Sequence, residues 1–167
     1  RLYYTKIEVV RNTNLYDDIY YYDPAKDREV RVTSGIRGRD PAPSPDNRSL
    51  LFVSNKMGGT RLGILDLSRP LPAEDKDITW LTEEGSLQYS LPRWSPDGSR
   101  IAVSVWQPGG CQDVWILDKS GRKLEEVTHD RANDGAPVWS PDGKYVYFSS
   151  DRSGIFNIYA YEVGTKK

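Results

Sequence analysis

A single histidine limits the chemistry this chain can carry. His129 stands close to Asp130 and Asp134, and a histidine among carboxylates is the core of a nucleophile triad or of a metal site. A triad also needs a nucleophile on a sharp turn, yet the sequence has no Gly-x-Ser-x-Gly, no His-Glu-x-x-His and no phosphate-cradling Gly-x-x-x-x-Gly-Lys. Its acids lack the Asp-x-Asp-x-Asp-Gly spacing of a calcium loop, and Cys111 is the only cysteine. The expectation is a chain with no catalytic residue, no metal and no cofactor of its own.

Recognition chemistry is better represented. Polar, charged and aromatic residues gather between apolar runs: Arg37, Arg39 and Asp40; Asn55 and Lys56; Tyr89; Trp106 ahead of Gln107-Pro108-Gly109-Gly110; His129, Arg131 and Asp134; Asp151 and Arg152. Exposed aromatics and arginines are the residues that anchor protein contacts. Trp106 is the aromatic best placed to be one. The net charge is −1 with both signs interspersed, so there is no basic stripe to neutralise a phosphate backbone, and nucleic acid is excluded as a partner. No run of apolar residues is long enough for direct membrane insertion as a helix.

The elements that position these residues are set by an internal repeat. Pro92-Arg93-Trp94-Ser95-Pro96-Asp97-Gly98 recurs as Pro137-Val138-Trp139-Ser140-Pro141-Asp142-Gly143, and a weaker copy is Pro41-Ala42-Pro43-Ser44-Pro45-Asp46-Asn47. In Ser-Pro-Asp-Gly the proline presets φ for a type I turn and the glycine accepts the positive φ that follows; asparagine is its next best substitute. Each copy precedes a short apolar strand ending on Ser, aligned as Leu51-Phe52-Val53-Ser54, Ile101-Ala102-Val103-Ser104 and Val146-Tyr147-Phe148-Ser149, with Leu2-Tyr3-Tyr4-Thr5 in the same slot. A third strand ends near Asp23, Asp66, Asp118 or Glu162, and a fourth closes on Val32-Thr33, Leu81-Thr82 or Val127-Thr128.

Four strands per period of roughly 45 residues is the blade of a β-propeller. Five Trp, eleven Tyr, fourteen Gly and eleven Pro suit many short strands and tight turns. The fold class expected is all-β: a partial β-propeller of about four blades of four antiparallel strands, in units 1–33, 41–82, 92–128 and 137–163, with the first and last incomplete. Strands such as Tyr145-Val146-Tyr147-Phe148 are apolar on both faces, as sandwiched blades require. In Tyr20-Tyr21-Tyr22 successive side chains point to opposite faces and serve two interfaces. Longer spacings place a polar loop at about 68–77 and an enlarged loop at 8–17.

The Pro-x-Trp-Ser-Pro-Asp-Gly series, with Ser150-Asp151-Arg152-Ser153-Gly154-Ile155-Phe156-Asn157-Ile158-Tyr159 as the best copy of its middle part, resembles the TolB-like (PD40, WD40-like) propeller repeat over essentially the whole chain. The resemblance implies a non-catalytic interaction module binding a protein or peptide, an envelope lipoprotein among them, in the periplasm or outside the cell. Similar repeats also serve as propellers of prolyl-oligopeptidase-type and tricorn-like peptidases, gating a catalytic domain elsewhere, and of some pectate-fragment lyases. A ring of six such units needs about 270 residues. The expectation is therefore a piece of a longer protein, or one that self-associates through its incomplete end blades.

Overall fold

The computed structural model describes residues 1–10, 14–56, 58–83 and 85–167. Four antiparallel sheets follow one another along the chain, with no strand exchanged between them. The first holds β1 (Leu2–Val10), β2 (Asn14–Asp23) and β3 (Arg28–Arg31); the second β4 (Gly38–Pro43), β5 (Ser49–Ser54), β6 (Arg61–Asp66) and β7 (Ile78–Trp80). The third holds β8 (Gln88–Trp94), β9 (Arg100–Trp106), β10 (Gln112–Asp118) and β11 (Lys123–Glu126); the fourth β12 (Asp134–Trp139), β13 (Tyr145–Ser150) and β14 (Asn157–Glu162). This is a partial β-propeller, with three, four, four and three strands per sheet.

The repeated motif is a closed hydrogen-bonding unit. In the third sheet Ser95 Oγ donates to Asp97 (2.5 Å) and accepts from the Arg100 amide (2.9 Å), while Asp97 accepts from the Ser99 amide (3.0 Å). The same bonds recur around Ser44 and Asp46, and around Ser140 and Asp142. Asn47, Gly98 and Gly143 take φ of +57°, +68° and +71°, as the turn demands. The tryptophan that precedes the turn is a clasp between sheets: Trp94 Nε1 donates to the Ala42 carbonyl and Trp139 Nε1 to the Arg93 carbonyl, both at 3.2 Å.

Three apolar clusters fill the interfaces between neighbouring sheets. Ile19 and Tyr21 meet Leu50, Phe52, Leu65 and Ile78; Leu51, Val53 and Leu62 meet Ile101, Val103, Val105 and Trp115; Ala102, Val114 and Ile116 meet Val146, Phe148 and Tyr161. Every inner sheet is therefore apolar on both faces, which explains runs without alternation. The turns fix Ser49, Arg100 and Tyr145 as equivalent positions. The counterpart of Ser54 is thus Val105, so aligning β5 with the others on its terminal Ser is wrong by one residue, a slip that exchanges faces, while Ser104 and Ser149 are equivalent.

Two insertions differ from expectation. Residues 8–10 and 14–17 are strand, not loop: β1 and β2 pair from Leu2↔Tyr22 to Val10↔Asn14, forming a ribbon that outruns its sheet, while residues 11–13 lie outside those described. Alternating β-branched residues (Ile7, Val9) favour strand over loop. The loop at 68–77 is present with a 3-10 turn at Asp75–Asp77, but it is not wholly polar. Ala73, fully buried, exchanges backbone bonds with Val32 (2.8 Å) and Ser34 (2.9 Å), strapping the second sheet to the first.

The two end faces do not match. On the first sheet Tyr4, Lys6, Glu8, Glu29 and Arg31 neutralise one another, with Lys6 bound to Glu29 (2.6 Å) and Arg31 to Glu8 (2.8 Å). On the last, Val138, Tyr147 and Ile158 are exposed. Head-to-tail joining of two copies would set ion pairs against an apolar face.

Candidate partner-binding rim

The sheets have two rims. One carries the Ser-Pro-Asp-Gly turns and the loops between third and fourth strands; the other, called here the connection rim, carries the loops between second and third strands and the connections between sheets. The second is stitched by the threonines that close each unit. Thr33 Oγ1 accepts from the Ile19 amide (2.9 Å) and donates to Asp18 (2.9 Å); Thr128 Oγ1 accepts from the Val114 amide (3.0 Å) and donates to Asp113 (3.2 Å). Thr82 accepts from the Leu62 amide (2.9 Å), but there Arg61 replaces the aspartate, bonds Asp75 (3.1 Å) and lies over the Trp80 ring (3.4 Å).

The innermost strands are bent just below this rim. Asp40, Leu91 and Ala136, each followed by proline, take φ of +53°, +49° and +53°, and the pairing register breaks at all three. Such conformations are strained for residues with a β-carbon and persist where the surroundings hold them. Here the neighbouring sheet does so: the Leu91 amide donates to Asp40 Oδ2 and the Ala136 amide to Ser104 Oγ, both at 3.0 Å.

These bonds sort the residues singled out in the sequence. Asp134, fully buried, accepts through both carboxylate oxygens from Arg152 Nη2 (3.1 Å each), while Arg152 Nε donates to Ser150 Oγ (2.9 Å) and the guanidinium lies over Tyr159 (4.9 Å). Asp151 accepts from the Asn133 backbone and side-chain amides, which hold its carboxyl below the usual range. Tyr89 lies in the core between the second and third sheets, and burial raises its hydroxyl pKa. Asp40 and Tyr89 are thus committed between the second and third sheets, and Asp134, Asp151 and Arg152 to fixing the fourth sheet at this rim.

The others are accessible to a ligand. Trp106 is 40% exposed, Arg131 is exposed, and His129 projects with Glu126 3.8 Å away. Arg37 stacks over Tyr16 (4.2 Å), and Lys56 lies 3.6 Å from Asp75. Arg39 and Asn55 each bury a polar atom, Nε and Oδ1, that has no partner among the described residues. Arg131, Asp130, Asp151 and Arg152 line a cleft of about 520 Å³. Among the described residues no three His, Cys, Asp or Glu side chains are grouped to hold a metal ion.

The structure adds residues that sequence reasoning missed. Ile7, Val9 and Leu15 on the ribbon, and Ile155 and Phe156 on the loop before β14, are between 64% and 69% exposed. With Trp106 they place six bare apolar side chains on the connection rim. The turn rim is mostly polar at its tips, Asp46, Asn47, Asp97, Ser99, Lys119, Arg122 and Asp142, with Leu2 and Leu124 its exposed apolar side chains. The alternation of Ile7-Glu8-Val9 was the available signal for the ribbon; Ile155-Phe156 was hidden inside a family-like segment.

Residues 82–167 match the PD40 family, the TolB beta propeller domain. Over 90% of its length the chain is 28% identical to the "Uncharacterized peptidase YuxL" of Bacillus subtilis, of which it covers 28%. Over 38% of its length it is 35% identical to the Tol-Pal system protein TolB of Alcanivorax borkumensis, of which it covers 14%. The crystal structure of TolB from Acinetobacter baumannii superposes on 99% of the chain with a TM-score of 0.78 at 23% identity, the chain covering 40% of it. The chain thus spans well under half of each of these proteins. The matched residues and the superposed sheets lead to one conclusion: this chain belongs to the TolB beta-propeller (PD40) family.

Proposed function

We propose that the chain is a non-catalytic interaction module that docks a protein or peptide on its connection rim. The observation that carries this reading is the asymmetry of the two rims: Ile7, Val9, Leu15, Trp106, Ile155 and Phe156 lie bare on one, while the other presents polar tips with only Leu2 and Leu124 bare among the described residues. Exposed apolar side chains rimmed by polar ones mark contact surfaces, and loops on a rigid repeated frame are where binding specificity resides. Arg37, Lys56, His129 and Arg131 supply the polar surround. The likeness to a TolB of the Tol-Pal system supports a protein partner and a periplasmic or extracellular site of action, an envelope lipoprotein being the partner class proposed.

A second reading rests on the relative named as a peptidase: the same blades would gate a catalytic domain elsewhere in a longer hydrolase. Labelling the intact protein with a serine-reactive phosphonate separates the two, since only a hydrolase takes the label. For the docking reading, a photo-crosslinking residue is placed at Ile155 or, on the opposite rim, at Asp46. Adducts from the first position and none from the second support it; equal capture at both sinks it.

A further inference from the structure

We propose that Arg39 and Asn55 form a receptor for an acidic side chain of an extended peptide, an inference that rests on the docking role of the connection rim. Arg39 lies on β4, the innermost strand of its sheet, one residue before the strained Asp40. Its pairing with Val53, and the Asn55 amide's bond to the Arg37 carbonyl, set Arg39 and Asn55 as diagonal neighbours on one face. Diagonal positions stand about 7–8 Å apart at Cα, within reach of long side chains. Gly38 abuts Ile19 of the first sheet, so Arg39 projects to the other side, with Val53 toward the third sheet.

Three features mark this pair as a site. Among the described residues Arg39 has no carboxylate within 4 Å, which Arg37, Arg93 and Arg131 also lack, but none of those three buries an unpartnered nitrogen as Arg39 does. The nearest acid along the chain, Asp40, is committed to the Leu91 amide. Arg39 Nε and Asn55 Oδ1 are buried without partners, an unmatched donor beside an unmatched acceptor, and such groups are costly to leave unmade. An acidic residue in an extended chain answers both: its carboxylate accepts from the guanidinium and a peptide N–H donates to Asn55. A bare anion answers only the first. Apolar residues two positions either side of the acid would fall on the same face, toward the exposed side chains of the rim.

The test uses two acetylated, amidated peptides, Leu-Thr-Glu-Thr-Leu and Leu-Thr-Gln-Thr-Leu, titrated calorimetrically into the full chain. The Glu peptide is expected to bind about tenfold more tightly, the margin of a charge-assisted over a neutral hydrogen bond. Arg39→Gln abolishes that margin. So does Asn55→Asp, which gives Arg39 a carboxylate of its own and also raises the urea midpoint, showing that loss of binding is not loss of fold. Equal affinity of the two peptides, a preference that survives Arg39→Gln, or no binding of either overturns the proposal. The docking reading stands if both peptides bind equally and Trp106→Ala weakens both; it falls with the proposal only if neither binds and crosslinking at Ile155 captures nothing.

Discussion

Replacing Gly121 with alanine tests whether the second and third sheets are rigidly stacked. Gly121 sits in the turn between β10 and β11 with φ of +87°, and a β-carbon there would lie 2.2 Å from the carbonyl oxygen of Leu81 in the preceding sheet. Two costs add. A β-carbon at positive φ costs about 1–2 kcal/mol, and forcing it past a backbone carbonyl, which must recede by about 1 Å, costs about 1–3 kcal/mol more. The turn cannot simply swing out, because Asp118 binds the amides of Ser120 (2.9 Å) and Arg122 (3.1 Å). Gly154 is the control: its φ is +88°, with nothing within 4 Å of the added carbon. Urea unfolding should therefore show Gly154→Ala losing about 1–2 kcal/mol and Gly121→Ala about 2–5 kcal/mol. Equal losses, within about 0.5 kcal/mol, would show that the sheets give way and refute the stacked geometry.

Three further perturbations probe the stitching. Thr128→Val leaves the Val114 amide and buried Asp113 each short of a bond and should cost about 2–4 kcal/mol in urea unfolding, whereas Thr128→Ser restores most of it. Arg152→Met abandons the fully buried Asp134 and should cost about 3 kcal/mol or more, and a loss under about 1 kcal/mol would show the pair to be dispensable. Asp97 is held down to about 2 by the hydroxyls of Ser95 and Ser99. A folded pKa below the unfolded one stabilises at pH above about 4, and that contribution disappears as pH falls toward 2. The stability gap between wild type and Asp97→Asn, followed by urea midpoints across that range, should narrow with falling pH; a constant gap would contradict the assignment.

The frame was legible because each letter of the repeat has a local physical reason. Ser-Pro-Asp-Gly closes its own hydrogen bonds, so turn, strand and period could be read without neighbours. The roles of the tryptophans and threonines were not: Trp139 binds the Arg93 carbonyl in the sheet before it, and Thr128 bonds a strand fourteen residues earlier. Both depend on packing between elements that no local pattern specifies. Tyr89, Asp134 and Arg152 could be placed near a rim by spacing, but whether each is spent on the frame or free for a ligand depends on that same packing. The ribbon was misread because the long step from Thr5 to Asp23 suggested an enlarged loop, where pairing with a second strand makes the alternation of Glu8 with Ile7 and Val9 decisive.

The division between committed and uncommitted residues carries the functional argument further than the list of charged residues does. A guanidinium held by both oxygens of a fully buried carboxylate, as Arg152 is by Asp134, cannot turn to a ligand without abandoning a buried charge. Arg39 carries no such obligation among the described residues, and it lies beside the one strained backbone position whose acid is already engaged across the sheets. The Leu91 amide's bond to Asp40 holds the strained inner strand in place while the preceding side chain stays without a carboxylate. A rim that is rigid in its stitching and carries this unmatched pair is preorganised, so a partner meeting it loses little in ordering the protein. The apolar side chains around that point would supply contact area, and the unmatched pair would decide which partner is accepted.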